Sequence, residues 1–201
     1  MAGRPPWPAG LDRRTRPANY DGEVATHPIR QFGDPVLRQP TREVAEIDGS
    51  VAKLVADMIE TMYAAPGIGL AANQVGVQRR LFVYDVGEGP RTVINPRIVQ
   101  SAGEWSYEEG CLSIPGLSWE VVRPNEVHLV GLDLDGNELS IEADTLEARC
   151  LQHEMDHLDG ILLVERLDED QRREARRVLR ARTLRLPVGS DHDGLGRLER
   201  S

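Results

Sequence analysis

No run of apolar residues in this 201-residue chain approaches the roughly 20 needed to cross a bilayer, so no membrane partner is expected. Cysteine is nearly absent. Cys111 and Cys150 show no framework spacing, which argues against a disulfide scaffold and for a reducing, cytoplasmic setting. Lysine is scarcer still, with Lys53 alone, so almost all positive charge is arginine, which we read as coding bias before function. A net charge of −9 argues against binding nucleic acid through the surface at large, and no sequence-specific nucleic-acid contact is expected. Aromatics are sparse at 4%, yet 40% hydrophobic residues over 201 positions suffice for one domain with a real core. The first thirty residues lack the apolar core of a signal peptide, and Asp12, Asp21 and Glu23 among the arginines and prolines argue against a transit peptide.

What is present begins with periodicity. Val51, Leu54, Val55, Met58, Ile59 and Met62 form a helical stripe that predicts a helix over about 50–64. Residues 80–86 and 92–99 read as strands joined through Gly87-Glu88-Gly89-Pro90. Residues 121–133 and 138–142 read as a hairpin around Asp135-Gly136. Asp144, with Glu147 three residues on, reads as a capping box opening a helix at Thr145, and Gly160 is its expected stop. A charged helix follows over 168–182. Strands grouped ahead of the central helix, without regular alternation, give an α+β fold with largely antiparallel sheets packed around that helix.

That helix carries the most chemistry. His153 and His157 lie four apart and share a face, so both imidazoles can reach one metal ion, with Glu154 beside them to handle a proton. Leu146, Cys150, His153 and His157 form one stripe. An open site needs a third ligand. Leu163 stands where the extended astacin-type motif has its third histidine, and Glu165, Glu169 and Glu174 lie awkwardly close behind or in the Arg-rich helix. The ligand is therefore sought upstream. Cys111, after Gly110, could complete a His-His-Cys set. Cys150 could instead join Cys111 and both histidines in a closed structural site, but that leaves Glu154 without a role, and Cys150 is read as a small buried apolar residue. Farther upstream, Gly67-Ile68-Gly69-Leu70-Ala71-Ala72-Asn73-Gln74 is compact, lacks the ending of a phosphate loop and reads alone as either a tight turn or a functional segment.

Together, Gly67-Ile68-Gly69-Leu70-Ala71-Ala72-x-Gln74, Glu109-Gly110-Cys111-Leu112-Ser113 and the segment from Gln152 to Gly160 resemble the three signature motifs of the peptide deformylases, in order and approximate spacing, with Asn73 where the family often has proline. The resemblance spans about residues 29–182. It implies a hydrolase that removes the formyl group from formyl-methionine at the start of newly made polypeptides. It also implies Fe(2+), for which Zn2+, Ni2+ or Co2+ can substitute, held by Cys111, His153 and His157. Glu154 would be general base and then general acid. The backbone N–H of Leu112 and the amide of Gln74 would stabilise the oxyanion. Ile68, Leu146 and Cys150 would wall a methionine pocket. Gly69, Glu109, Gly110 and the stretch after Cys111 would take the peptide as an added strand. A zinc metallopeptidase and a non-catalytic Cys2His2 structural metal domain stay open as alternatives.

The expected organisation is a mobile N-terminal extension over 1–28, a single catalytic domain over 29–187 including helix 168–182, and a flexible polar tail over 188–201. From Asp168 to Pro187 acids come first, followed by Arg172, Arg173, Arg176, Arg177, Arg180, Arg182 and Arg185. Acid before base suits the helix dipole. That is the plainer reading; by resemblance, a basic face that contacts ribosomal RNA stays open as the alternative.

Overall fold

The computed structural model describes residues 24–183, so the expectations for 1–23 and 184–201 lie outside the described residues. Three α-helices and seven strands follow in the order α1 (Gly49–Ala64), β1 (Gly69–Ala71), β2 (Leu81–Tyr84), β3 (Arg91–Ala102), β4 (Trp105–Gly110), β5 (Ser118–Arg123), β6 (Glu126–Leu132), β7 (Glu138–Asp144), α2 (Thr145–Leu158) and α3 (Glu169–Thr183). All the pairings between strands are antiparallel. One sheet has the order β1-β2-β3-β6-β7 and a second pairs β4 with β5. The α+β expectation holds.

Alternation along β2 positions the two inner helices. Leu81 and Val83 join the core under α1, while Phe82 and Tyr84 join the core under α2, so the larger sheet is buried on both faces. α1 starts where the sequence placed it, because Asp48 accepts hydrogen bonds from the Ser50 and Val51 amides at 2.9 and 3.0 Å. A third cluster packs Ala175 and Leu179 of α3 against Ile114, Leu117, Trp119 and Val121. α3 thus supports the turn that follows Cys111, and Arg182 donates to the Pro115 carbonyl at 2.8 Å. The chain is already tied down ahead of position 29. The Ala25 and His27 amides donate to Asp57 Oδ1 and Thr61 Oγ1 of α1 at 3.0 and 2.9 Å.

Two local expectations are corrected. The strand expected over 121–133 breaks at Pro124-Asn125, so β5 and β6 belong to different sheets. Proline has no N–H for a ladder, and the Pro124 carbonyl instead accepts from Gln152 at 2.9 Å. The capping box at α2 does not form. Asp144 accepts from the Thr145 hydroxyl, and Glu147 accepts from the Tyr84 hydroxyl at 2.9 Å and Arg91 at 3.2 Å. A buried tyrosine needing an acceptor outcompetes the cap. At the other end Gly160, at φ +74°, stops α2 as expected; a Cβ there would meet the Arg38 backbone at 2.8 Å.

Candidate active site

Three segments distant in sequence converge beside α2. The helix carries His153, Glu154 and His157 on one face, and the end of β4 delivers Cys111. β1 with the turn after it delivers Gly69 and Gln74. Donor atoms of Cys111, His153 and His157 all lie within 4.8 Å of one another. Cys111 Sγ is 3.2 Å from His157 Nε2, and the two imidazole rings sit 4.9 Å apart, edge to face. This is the one such metal-capable group among the described residues.

The His153 ring is aimed by a neighbour, while His157 Nδ1 has no partner. His153 Nδ1 is 2.6 Å from Glu109 Oε1, which leaves its Nε2 for the cluster. The His157 carbonyl accepts from Asn73 Nδ2 at 2.5 Å, so the segment holding Gln74 is fastened to the helix holding the histidines. Burial pushes the Cys111 thiol up, but the facing His157 and His153 outweigh it and hold it well below the usual thiol range. Burial disfavours charge on His153, yet Cys111 and Glu109 raise it well above the usual imidazole range. Thiolate and imidazolium are sharing charge where a soft divalent cation would bind, and the donor set fits such an ion.

Glu154 is buried, and burial pushes its carboxyl up to about 7 against the opposing pull of the two imidazoles. Its Oε2 has no protein partner. Its Oε1 lies 2.3 Å from where a Cβ on residue 69 would stand, with Cys150 Sγ at 3.0 Å from that point. Gly69 is therefore glycine because β1 passes directly over Glu154. Gln74 Oε1 accepts the Ala71 amide at 2.8 Å, while Nε2 donates to Ser113 Oγ at 3.1 Å and lies 3.9 Å from Cys111 Sγ. Leu112 is half-buried and packs so tightly under Gly67 that a Cβ there would meet its side chain at 2.6 Å. Gly110 closes β4 opposite Ser118.

The residues expected to contact substrate divide. Ile68 and Leu146 stay 45% and 39% exposed, side chains available to a ligand. Cys150 is buried in the core beneath α2, outside the metal-capable group, and burial with the charges of Glu154, Glu109 and Glu147 keeps it a neutral thiol. That placement removes the closed Cys2His2 arrangement. Glu109 is corrected. Its carboxylate is committed to His153, Arg123 and Arg149 and holds the site from behind, with no lone pair left for substrate.

Sequence reasoning missed this supporting layer. Arg123 also donates to Asp156 at 2.8 Å, and Arg166 clamps the same carboxylate through both its oxygens. Arg149, four residues before His153 on the same helix, was the available signal: an arginine inside a buried stripe needs a carboxylate.

Comparison with known proteins agrees with this geometry. A family model described as polypeptide deformylase matches residues 26–173. The peptide deformylase of Agathobacter rectalis is 51% identical over 145 residues, which cover 72% of this chain and 92% of that protein. The crystal structure of a peptide deformylase from Legionella pneumophila superposes with a TM-score of 0.74 at 41% identity, covering 81% of this chain and all of that one. The Ehrlichia chaffeensis enzyme in complex with actinonin superposes with a TM-score of 0.75 at 40% identity over 79% of this chain and 98% of that one. These matches span the segments that build the site, and the chain belongs to the peptide deformylase family, hydrolases that remove the formyl group from the N-terminus of newly made polypeptides.

Proposed function

We propose that Cys111, His153 and His157 hold one divalent ion, Fe(2+) in the cell with Zn2+, Ni2+ or Co2+ as substitutes, and that Glu154 moves the protons of formyl-peptide hydrolysis. The observation carrying this reading is the convergence of one thiolate and two imidazoles with a buried, unpartnered carboxylate beside them. The donor set itself suits several of these metals, so the choice of iron rests on the family resemblance. The ion's contribution is Lewis-acid polarisation of the formyl oxygen and of water.

The remaining steps belong to the chain. Glu154, buried beside the donor group with Oε2 free of protein partners, takes a proton from the attacking water and later delivers it to the departing amine. Gln74 Nε2, held by Ser113 beside Cys111, and the backbone N–H of Leu112 stabilise charge developing on the formyl oxygen. β1 is an edge strand, so its outer side, apart from the Ala71 amide that Gln74 takes, is open to an extended peptide, with Gly69 and Gly110 permitting close approach. Ile68 and Leu146 close over the methionine side chain, and Cys150 lies at the base.

Two broader readings accompany this. We read the enzyme as cytoplasmic and working near the ribosome, because newly made formylated polypeptides are its proposed substrate. Arg176 and Arg180 are exposed on α3 beside Arg173 and Arg177, which pair with Asp170 and Glu174 of the same helix, and we read the exposed arginines as a surface for phosphate contacts on ribosomal RNA. Formate release from formyl-Met-Ala-Ser by protein loaded with iron in the absence of oxygen tests the activity. Turnover of the formyl peptide, with acetyl-blocked peptide left intact, supports the reading; cleavage at an internal peptide bond instead points to a metallopeptidase and refutes it.

A further inference from the structure

Arg149 is an expensive residue to keep where it lies. Its side chain is 4% exposed, and its Nε is buried without a partner. An apolar side chain would fill the same wall without an unpaired donor or a desolvated charge. Both terminal nitrogens of the guanidinium are engaged. One nitrogen donates to Glu109 Oε2 at 2.9 Å and to the Val121 carbonyl at 3.1 Å, and the other donates to the Trp105 carbonyl at 2.6 Å. It rests against Trp105, 4.9 Å from the ring centroid, and Tyr107, stacked on Trp105 at 4.5 Å, lies beside it at 5.8 Å from the guanidinium carbon. Hydrogen bonds and ring contacts together hold the cation in place.

Its place on the helix gives the fixation a use. Arg149 precedes His153 by one turn, so the two side chains project from the same face. They grip opposite oxygens of one carboxylate: His153 faces Glu109 Oε1 and Arg149 holds Glu109 Oε2. Arg123 spans both oxygens from the other side, at 2.7 and 2.8 Å. Glu109 therefore accepts four hydrogen bonds and cannot turn without breaking them. Glu109 in turn lies two residues before Cys111. A displacement of Glu109 moves both the partner that aims His153 and the strand end that carries the thiol.

We infer that Arg149 is a positioning residue for the metal site, locking Glu109 so that His153 and Cys111 are presented together. The inference rests on the metal reading proposed above. Partners that orient a ligating imidazole typically change metal affinity by about 10–100-fold when removed. Arg149 stands one step farther out, acting through Glu109, and the lower end of that range applies.

The test uses full-length protein loaded with Co(II), with the rate of cobalt loss to excess EDTA and the visible absorption of the bound cobalt as readouts. Arg149→Met keeps the stem and removes the charge. It is expected to lose cobalt about 10-fold faster than the parent, with a shifted visible band and a fall in kcat at little-changed KM. In a Glu109→Gln background the same substitution should add nothing, because the route through the carboxylate is gone. A folded Arg149→Met with the parent's rate and spectrum overturns the inference, and so does equal acceleration in the Glu109→Gln background, which would mark Arg149 as a brace between strands and helix. Where Arg149→Met does not fold, Arg149→Gln carries the test with the same two outcomes. Cobalt uptake by Cys111→Ser at parent strength would instead overturn the metal site itself.

Discussion

Replacing Glu154 by glutamine separates what that residue does for catalysis from what it costs the fold. In protein stripped of metal, burial raises its carboxyl from 4.5 to about 7. At about 1.36 kcal/mol for each tenfold change in proton affinity, the ionised form is disfavoured by roughly 3 kcal/mol. Because the folded value is raised, the stabilising contribution of the proton is fully present below about 4.5 and is lost as pH rises through about 7. Glutamine is a neutral isostere of the protonated acid and carries no such loss. Stripped Glu154→Gln should therefore resist urea better than the stripped parent at pH 8, by up to about 3 kcal/mol, and match it near pH 4.5. Reloaded with metal, the same variant should be at least 10²–10⁴-fold slower in formate release, since one group serves both proton steps. A variant no more stable than the parent at pH 8 refutes the burial argument, and one that turns over at the parent's rate refutes the role.

Cys111→Ser should bind metal far more weakly while Cys150→Ala binds one equivalent as the parent does, because only Cys111 belongs to the donor group; metal content after dialysis decides it. Gly69→Ala should fold but lose most activity, since the added methyl falls 2.3 Å from Glu154 Oε1 and must displace the carboxylate; kcat for formyl-Met-Ala-Ser, at unchanged metal content, measures this. Arg176→Glu with Arg180→Glu should reduce ribosome co-sedimentation at low salt and leave short-peptide activity intact, whereas equal pelleting would leave α3 without an RNA role. Charge reversal is the cleaner perturbation, because truncation would also strip Ala175 and Leu179 from the core beneath the Cys111 turn.

The elements that announced themselves in the sequence are those whose reasons are local. The α1 stripe needs only its own periodicity and Asp48, and the His153–His157 spacing needs only a helix. Their structural counterparts were legible for that reason. What stayed hidden depends on partners far away in sequence. Pro124 could not be read as the point where one strand leaves its sheet for another, since that follows from α2 offering Gln152 to its carbonyl. Glu109 read as a residue facing substrate because Arg123 and Arg149, 14 and 40 residues away, give no local sign of converging on it. The capping box failed for the same reason: Tyr84, 63 residues from Glu147, claims its carboxylate. The metal-capable group of Cys111, His153 and His157 was legible as a pattern, while the charge network around it required the fold.

Which atoms hold the metal decides whether Cys111, His153 and His157 act as one donor set. An anomalous-scattering crystal structure of the iron-loaded protein, prepared without oxygen, is the direct measurement. It should show a single strong site bonded to Cys111 Sγ, His153 Nε2 and His157 Nε2, with Glu154 close by but not coordinated and at least one position left to a non-protein ligand. A site bonded to Cys150 or Glu154, or closed by a fourth protein ligand, would contradict it.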